Sequence, residues 1–163
     1  MTSTSMTMHV RRAMHADREF LVGIVPRLRE FGPSALRPVD ALDAAERDAL
    51  LHALDDPTPD TVLLVADDDG GHPVGVAFAE SPTDYFTGER HGHLGILAVA
   101  AGAEGKGAGR ALIAAVERWA MERGYRFLTL NVFVGNERAR AVYERAGFSP
   151  DTIRYAKEFG RGR

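Results

Sequence analysis

The chain reads Ala103-Glu104-Gly105-Lys106-Gly107-Ala108-Gly109-Arg110 near its middle, with three glycines in five residues. A strand-like apolar run, Leu94 to Ala100, ends just before this stretch, and an apolar-periodic helix that runs to Arg123 begins directly after it. A strand, a glycine-rich loop and a helix N-terminus in this order aim backbone N–H groups at an anion, and the helix adds roughly half a positive charge there. Glycine permits close approach and positive φ. The stretch therefore predicts a binding site for a phosphorylated ligand.

Other kinds of glycine loop fit this sequence less well. A nucleotide-binding P-loop ends in Gly-Lys-Ser/Thr, whereas Lys106 is followed by Gly107, so no hydroxyl is offered to Mg²⁺. A dinucleotide-binding unit carries an acidic residue about 20 positions further on, and the corresponding region, Tyr125 to Asn131, has no carboxylate. The alternative interpretation at this point is a glycine-rich turn that only connects a strand to a helix.

Composition narrows the class of protein. With 163 residues, 45% of them hydrophobic and 26% charged, the chain is expected to form one soluble domain with a real core. The net charge of −3 argues against a broad nucleic-acid surface. The absence of cysteine excludes disulfides, thiolate metal sites and cysteine nucleophiles. We expect a disordered tail over residues 1–8, a single domain over 9–159, a second tail over 160–163, and a cytoplasmic location, because no apolar run has membrane-spanning length.

Hydrophobic periodicity and turn residues predict the order β α α β β β α β α β. Strands are expected at 9–13, 61–66, 73–79, 93–100, 127–134 and 153–159. The first helix is expected at 17–32 with a break at Pro26, and the second begins at a cap on Asp43. The third helix follows the glycine stretch, and the fourth runs from a cap at Asn136 to Gly147. The stretch Gly32-Pro33-Ser34 is expected to end the first helix. The early hairpins predict antiparallel pairing, and the strands at 93–100 and 127–134 should be parallel neighbours joined by a crossover. The fold class is therefore mixed α/β (α+β), a mostly antiparallel sheet with helices on both faces.

A second motif follows the later of these two strands. It runs from Asn136 to Phe148, and Tyr143 lies seven residues after Asn136, on the same helical face. Together the two motifs resemble the GCN5-related N-acetyltransferase (GNAT) family. Residues 104–109 match the loop pattern of that family, Arg/Gln-x-x-Gly-x-Gly/Ala, except that Glu104 occupies the first position. Residues 136–148 match a second signature of the family, an Asn and an Ala followed by Tyr-Glu-x-x-Gly-Phe.

The resemblance extends over about residues 9–159 and is strongest over 93–148. It implies a parallel strand pair that splays apart at the coenzyme site, and acetyl-CoA as the cofactor. The strand backbone would pair with the pantetheine arm, and the loop amides would bind the diphosphate. The residues implied in cofactor binding are Leu97, Ala98, Val99, Glu104, Gly105, Lys106, Gly107, Ala108, Gly109, Arg110, Asn136 and Tyr143.

The resemblance also implies the catalytic residues. Tyr143 would give a proton to the coenzyme A sulfur, and its ordinary pKa near 10 keeps it protonated at neutral pH. Gly95 and Ile96 stand where some relatives carry an acid or a histidine. The resemblance implies His93 as the base, because it matches a position used as a base in several relatives, and a purely structural His93 is the rival interpretation. His91 and Glu89 are alternative bases.

The amine acceptor is left undefined by the sequence. By the resemblance, the first helices and the loop before the coenzyme strand supply the acceptor pocket, for which Phe31, Tyr85, Glu89 and Asn131 are the expected binding residues. Arg29, Glu30, Glu80, Asp84 and Phe86 belong to the same segments. Acidic residues beside aromatic ones suit a cationic amine, while an ordinary polar loop remains an alternative. Asn131 cannot act as a base, which argues against the ribosomal-protein N-terminal subclass, where a glutamate stands.

The leading hypothesis is an N-acetyltransferase that moves the acetyl group of acetyl-CoA to a primary amine of a small molecule or peptide in a ternary complex. A non-catalytic acyl-CoA sensor on the same fold and a nucleotide-binding domain are the alternatives. No metal, nucleic-acid or membrane partner is expected, and a homodimer is left open.

Overall fold

The computed structural model describes residues 7–32 and 35–160. Within these residues five strands form one sheet in the order β1-β2-β3-β4-β5. The strands are β1 (His9–Arg12), β2 (Thr61–Asp67), β3 (Pro73–Glu80), β4 (Gly92–Val99) and β5 (Leu128–Leu130). Neighbours from β1 to β4 are antiparallel, and β4 and β5 are parallel. The predicted fold class and the predicted parallel pair are confirmed.

Helices cover both faces of the sheet. They are α1 (Arg18–Ile24), α2 (Val39–Asp55), α3 (Ala108–Glu122) and α4 (Glu137–Arg145), and a 3₁₀ turn, Val25–Arg29, continues α1. Pro26 lies in the first turn of the 3₁₀ segment, as expected of a residue that has no N–H to donate. None of the helices in the described ranges combines the length and apolar character needed to cross a membrane.

Two apolar clusters, one on each face of the sheet, form the core. Along β2, alternate side chains go to opposite faces, so Val65 packs with α1 and α2 whereas Leu64 packs with α3. Leu21 and Leu50 are fully buried on the first face, and Leu112 and Val116 on the second. Burial on both faces explains why β2 reads as an almost continuous apolar run.

A β-bulge at Gly95 separates the two ends of β4. Phe78 pairs with Ile96 and Ala79 pairs with Leu94, so Gly95 is an extra residue opposite β3. The pairing of β4 with β5 ends at the same place, with Leu94 opposite Leu130. A bulge bends its strand and increases the local twist. Beyond it, no described strand pairs with residues 95–99 on the side away from β3, which we call the open edge of β4.

Three sequence predictions about element boundaries are wrong. Helix α2 begins at Val39, directly after Pro38, rather than at a cap on Asp43. The Asp43 carboxylate instead accepts a hydrogen bond from Arg29 Nε at 2.8 Å. Strand β5 covers only Leu128–Leu130 of the predicted 127–134, because β4 stops offering it a partner after the bulge.

The predicted last strand at 153–159 is the third error. Residues 149–160 form neither helix nor strand, and Ile153, Tyr155 and Phe159 are exposed. A strand requires the backbone groups of a neighbour, and the described part of the chain offers none to this segment. Residues 1–6 of the expected N-terminal tail, residues 161–163 of the C-terminal tail, and Pro33 and Ser34 lie outside the described residues.

Candidate active site

The glycine loop, residues 104–109, leads into the N-terminus of α3. Gly107 is the N-cap residue with φ +93°, and Gly105 also has a positive φ of +72°. A Cβ built on either residue would meet no atom within 4 Å, so open space lies over both. The first hydrogen bond of the helix runs from Ala111 N to Gly107 O at 3.0 Å, which leaves the amides before it unpaired within the helix. These amides and this space fit a diphosphate, as a helix N-terminus can.

The side chains at and just before the start of α3 differ in their exposure. Lys106 and Arg110 are exposed beside the unpaired amides, where they can approach a phosphate. Ala108, in contrast, is buried against the sheet and anchors the start of α3. The predicted residues of the loop are therefore brought together at one helix end.

Glu104, the departure from the family pattern, is held by two arginines. Its carboxylate forms an ion pair with Arg27 from the 3₁₀ turn and another with Arg138 of α4, the latter at 2.7 Å. Arg27 also donates from Nε to the Val99 carbonyl at 3.0 Å. The two arginines thus compensate the charge of the Glu104 carboxylate, and the ion pairs connect the glycine loop to the 3₁₀ turn and to α4.

The open edge of β4 leads from the glycine loop to the bulge. Leu97, Ala98 and Val99 pair with β3 on one side, and of their remaining backbone groups the Val99 carbonyl already accepts a hydrogen bond from Arg27. A strand with one unpaired edge can bind an extended amide-containing chain through main-chain hydrogen bonds. This is the chemistry that a pantetheine arm requires.

His93 lies where β4 and β5 are still paired, two residues before the bulge. It is opposite Glu80 of β3 and Thr129 of β5, and its Nδ1 is 2.8 Å from Thr129 Oγ1. Burial lowers the pKa of His93 below its ordinary 6.5; Glu80 opposes this effect and His91 adds to it. His93 is therefore neutral at neutral pH and able to accept a proton.

The two alternative bases are placed differently. His91 is 7% exposed, its Nδ1 has no hydrogen-bond partner among residues 7–32 and 35–160, and its ring lies 4.8 Å from that of Phe127. Glu89 is exposed and lies 3.9 Å from Arg126. Neither belongs to the β4–β5 pairing, whereas His93 is one residue from its last pair at Leu94, so His93 is the candidate nearest in sequence to the open edge.

Helix α4 carries the second motif. Asn136 caps it by accepting a hydrogen bond from Ala139 N at 3.1 Å, as predicted. Tyr143 packs against the core on the α3 side of the sheet, and its ring lies 6.0 Å from that of Phe148. Burial raises the pKa of Tyr143 above 10. The phenol is consequently protonated throughout the neutral range, as a proton donor must be.

The predicted acceptor residues do not form one group. The ring of Phe31 lies 5.5 Å from the guanidinium of Arg27 and 5.1 Å from that of Arg138, beside the ion pairs of Glu104. Tyr85 is 92% exposed in the loop before β4 and contacts Phe86. Asn131 is exposed immediately after β5 ends. Phe31 is therefore next to the coenzyme loop rather than beside Tyr85.

These features can be compared with known proteins. A model of the Acetyltransferase (GNAT) family matches residues 28–148. The chain belongs to this family. It is 30% identical over 145 residues to the uncharacterized N-acetyltransferase YhfO of Bacillus subtilis, a match that covers 89% of this chain and 92% of that protein.

A second relative is matched only in part. The chain is 40% identical over 87 residues to the mycothiol acetyltransferase of Propionibacterium freudenreichii subsp. shermanii, which covers 53% of this chain and 27% of that protein. Among solved structures, the aminoglycoside N-acetyltransferase AAC(6')-Iy in complex with CoA has a TM-score of 0.69 at 22% identity, over 98% of this chain and all of the other. At this identity the likeness concerns the fold. The prediction of acetyl-CoA as the cofactor is confirmed at the level of the family.

Three residues of the site were missed by the sequence analysis. Thr129 contacts His93 across two strands, and Arg27 and Arg138 both hold Glu104. The parallel pairing of β4 with β5 was predicted, but its register, which places Thr129 opposite His93, was not. No local sequence pattern indicates the role of Arg138, because its partner Glu104 is distant in sequence.

Proposed function

We propose that the chain is an N-acetyltransferase that transfers the acetyl group of acetyl-CoA to a primary amine of a small molecule or peptide, by direct attack in a ternary complex. The observation that carries this proposal is that His93, the open edge of β4 and the glycine loop follow one another along one strand and the loop after it. A single domain over residues 9–159 is part of the proposal.

Coenzyme binding rests on the backbone. The amides of residues 105–110 would bind the diphosphate, and Lys106 and Arg110 would add charge. Residues 97–99 would hold the pantetheine arm on the open edge of β4. Bound acetyl-CoA supplies a thioester carbonyl that an amine can attack. Holding both reactants in place in this way can lower the barrier by about 7–11 kcal/mol.

His93 would accept the proton that the amine loses. Its lowered pKa keeps it unprotonated at neutral pH, and general-base catalysis of this kind contributes about 10²–10⁴-fold. A proton leaves the amine nitrogen and is bound by the imidazole, which becomes a cation beside Glu80. Because Glu80 raises the pKa of His93, it lies close enough to offset that charge.

Tyr143 would supply the proton that the departing sulfur needs. The phenol O–H bond breaks, the proton goes to sulfur, and the phenolate is restored by solvent. The raised pKa of Tyr143 keeps its proton in place until it is needed.

The acceptor is proposed to be cationic. Glu80 lies opposite His93, and Asp84 and Glu89 stand in the loop that follows Glu80. A carboxylate beside the proposed base would attract an ammonium group. Since a similar structure is an aminoglycoside N-acetyltransferase, aminoglycosides are one acceptor class to test.

The experiment is a thiol-release assay with acetyl-CoA over aminoglycosides, polyamines, arylalkylamines and peptides with free N-termini. Turnover with at least one amine, absent in the His93→Gln variant, is expected. Tight binding of acetyl-CoA without turnover across the panel would instead favour an acyl-CoA sensor. A sensor needs no catalytic base, and Gly95 and Ile96 stand where some relatives carry an acid or a histidine. Mass spectrometry of the product would identify the acetylated atom.

A further inference from the structure

The side chain of Thr129 has two polar neighbours. Its Oγ1 lies 2.8 Å from His93 Nδ1 and 3.5 Å from the Gly92 carbonyl oxygen. Thr129 and His93 are paired residues of neighbouring parallel strands, so the contact is set by the register of the sheet and does not depend on a mobile loop. The contact is also partly buried, which limits competition from water.

The roles of donor and acceptor follow from the carbonyl. A carbonyl oxygen can only accept a hydrogen bond, so both contacts are hydrogen bonds at the same time only when the Thr129 hydroxyl directs its single hydrogen towards Gly92. The hydroxyl oxygen then has lone pairs only for His93, and the imidazole must donate from Nδ1. A neutral imidazole carries one proton, so Nε2 is left as its acceptor.

We infer that Thr129 is a positioning residue that holds neutral His93 in the Nδ1–H tautomer, so that Nε2 is the atom that accepts the proton of the amine. This inference rests on the proposed function, in which His93 is the base. When the proton arrives at Nε2, the ring becomes an imidazolium and its Nδ1–H bond to Thr129 is retained. No side chain other than His93 changes its protonation in this step.

The first test is a direct measurement of the tautomer. Long-range ¹H–¹⁵N correlation spectra distinguish Nδ1–H from Nε2–H in a neutral histidine, and the His93→Gln variant assigns the signal among the six histidines of the chain. At a pH above the pKa of His93, the unmodified protein is expected to show the Nδ1–H form. A His93 signal of the Nε2–H form would overturn the inference without any variant.

The variants test the cause of this preference. Thr129→Val keeps the β-branched shape but removes the hydroxyl, so His93 should shift towards the Nε2–H form, whereas Thr129→Ser should retain Nδ1–H. Thr61→Val is the matched control, because it removes another strand hydroxyl, whose hydrogen bonds within the described residues are to Thr58. It should leave the His93 signal unchanged. An unaltered tautomer in Thr129→Val would refute the role of Thr129.

Kinetics separate positioning from structure. Thr129→Val should lower kcat about tenfold, part of the full contribution of a general base, with the KM for acetyl-CoA unchanged and kcat restored in Thr129→Ser. Equal losses in the Val and Ser variants would refute a role through the hydroxyl. If His93→Gln keeps full activity, the proposed base is wrong, and the spectra still report whether Thr129 sets the tautomer.

Discussion

Replacing Gly107 by alanine separates coenzyme binding from folding, because the chain contains a matched control. Gly107 and Gly124 flank the two ends of α3, with φ of +93° and +74°, and a Cβ on either would meet no atom within 4 Å. Alanine in this left-handed region costs roughly 1–2 kcal/mol. Both variants should therefore lose the same stability, about 2–8 °C in Tm for a domain of this size.

Only the Gly107→Ala variant should lose coenzyme affinity. The added methyl group would occupy the space over the unpaired amides of α3, and one hydrogen bond to a charged phosphate is worth about 1.5–3 kcal/mol. That loss corresponds to a Kd for coenzyme A raised about 10- to 150-fold, while Gly124→Ala should keep the original Kd.

Isothermal titration calorimetry with coenzyme A and thermal unfolding of the same samples measure the two effects separately. If Gly107→Ala and Gly124→Ala bind coenzyme A equally well, the diphosphate does not lie on the glycine loop. If their Tm values differ widely, the estimate of backbone strain is wrong.

Three further predictions concern catalysis. Tyr143→Phe should lower kcat about 10- to 100-fold, because it removes the proton donor, and should leave the Kd for coenzyme A unchanged; a normal kcat would remove Tyr143 from the mechanism. Since burial lowers the pKa of His93 and the neutral ring is the active form, kcat/KM should rise with pH through a midpoint below 6.5 and then stay level through the neutral range, where Tyr143 keeps its proton. A midpoint above 6.5 would contradict this. Glu80→Gln should raise the KM for a cationic amine several-fold, since a charge pair at close range is worth about 1 kcal/mol in water. It should also move that midpoint to lower pH, because Glu80 raises the pKa of His93; an unchanged pH profile would exclude the effect of Glu80.

Local sequence signals predicted the coenzyme half of the site. Glycines at 105 and 107 mark positive φ, and the apolar period of α3 marks a buried face, so both are visible without any partner. The cap at Asn136 and the stop at Gly147, where φ is +96°, are local in the same way. These elements were predicted because the residues that form them are close in sequence.

The errors arose where a distant partner decides the outcome. Strand β5 is short because the bulge at Gly95, in another strand, ends its pairing. Asp43 did not become a cap because Pro38 begins the helix earlier and Arg29 binds its carboxylate. Propensity describes each segment alone, and it cannot report which neighbour a segment will have.

The acceptor half of the site could not be predicted for the same reason, because it depends on contacts between residues distant in sequence. Phe31, Tyr85 and Asn131 were grouped because they stand in segments expected to surround the acceptor, but Phe31 stacks with arginines that hold Glu104. The contact of His93 with Thr129 depends on strand register, which composition does not encode. The residues that would select an amine therefore stay a prediction.

A structure determined with bound acetyl-CoA tests the central claim most directly. We predict diphosphate oxygens within hydrogen-bond distance of the amides of residues 105–110, the pantetheine arm along residues 97–99, and the thioester beside His93. Coenzyme density elsewhere on the protein, or none at millimolar concentration, would contradict the proposed transferase.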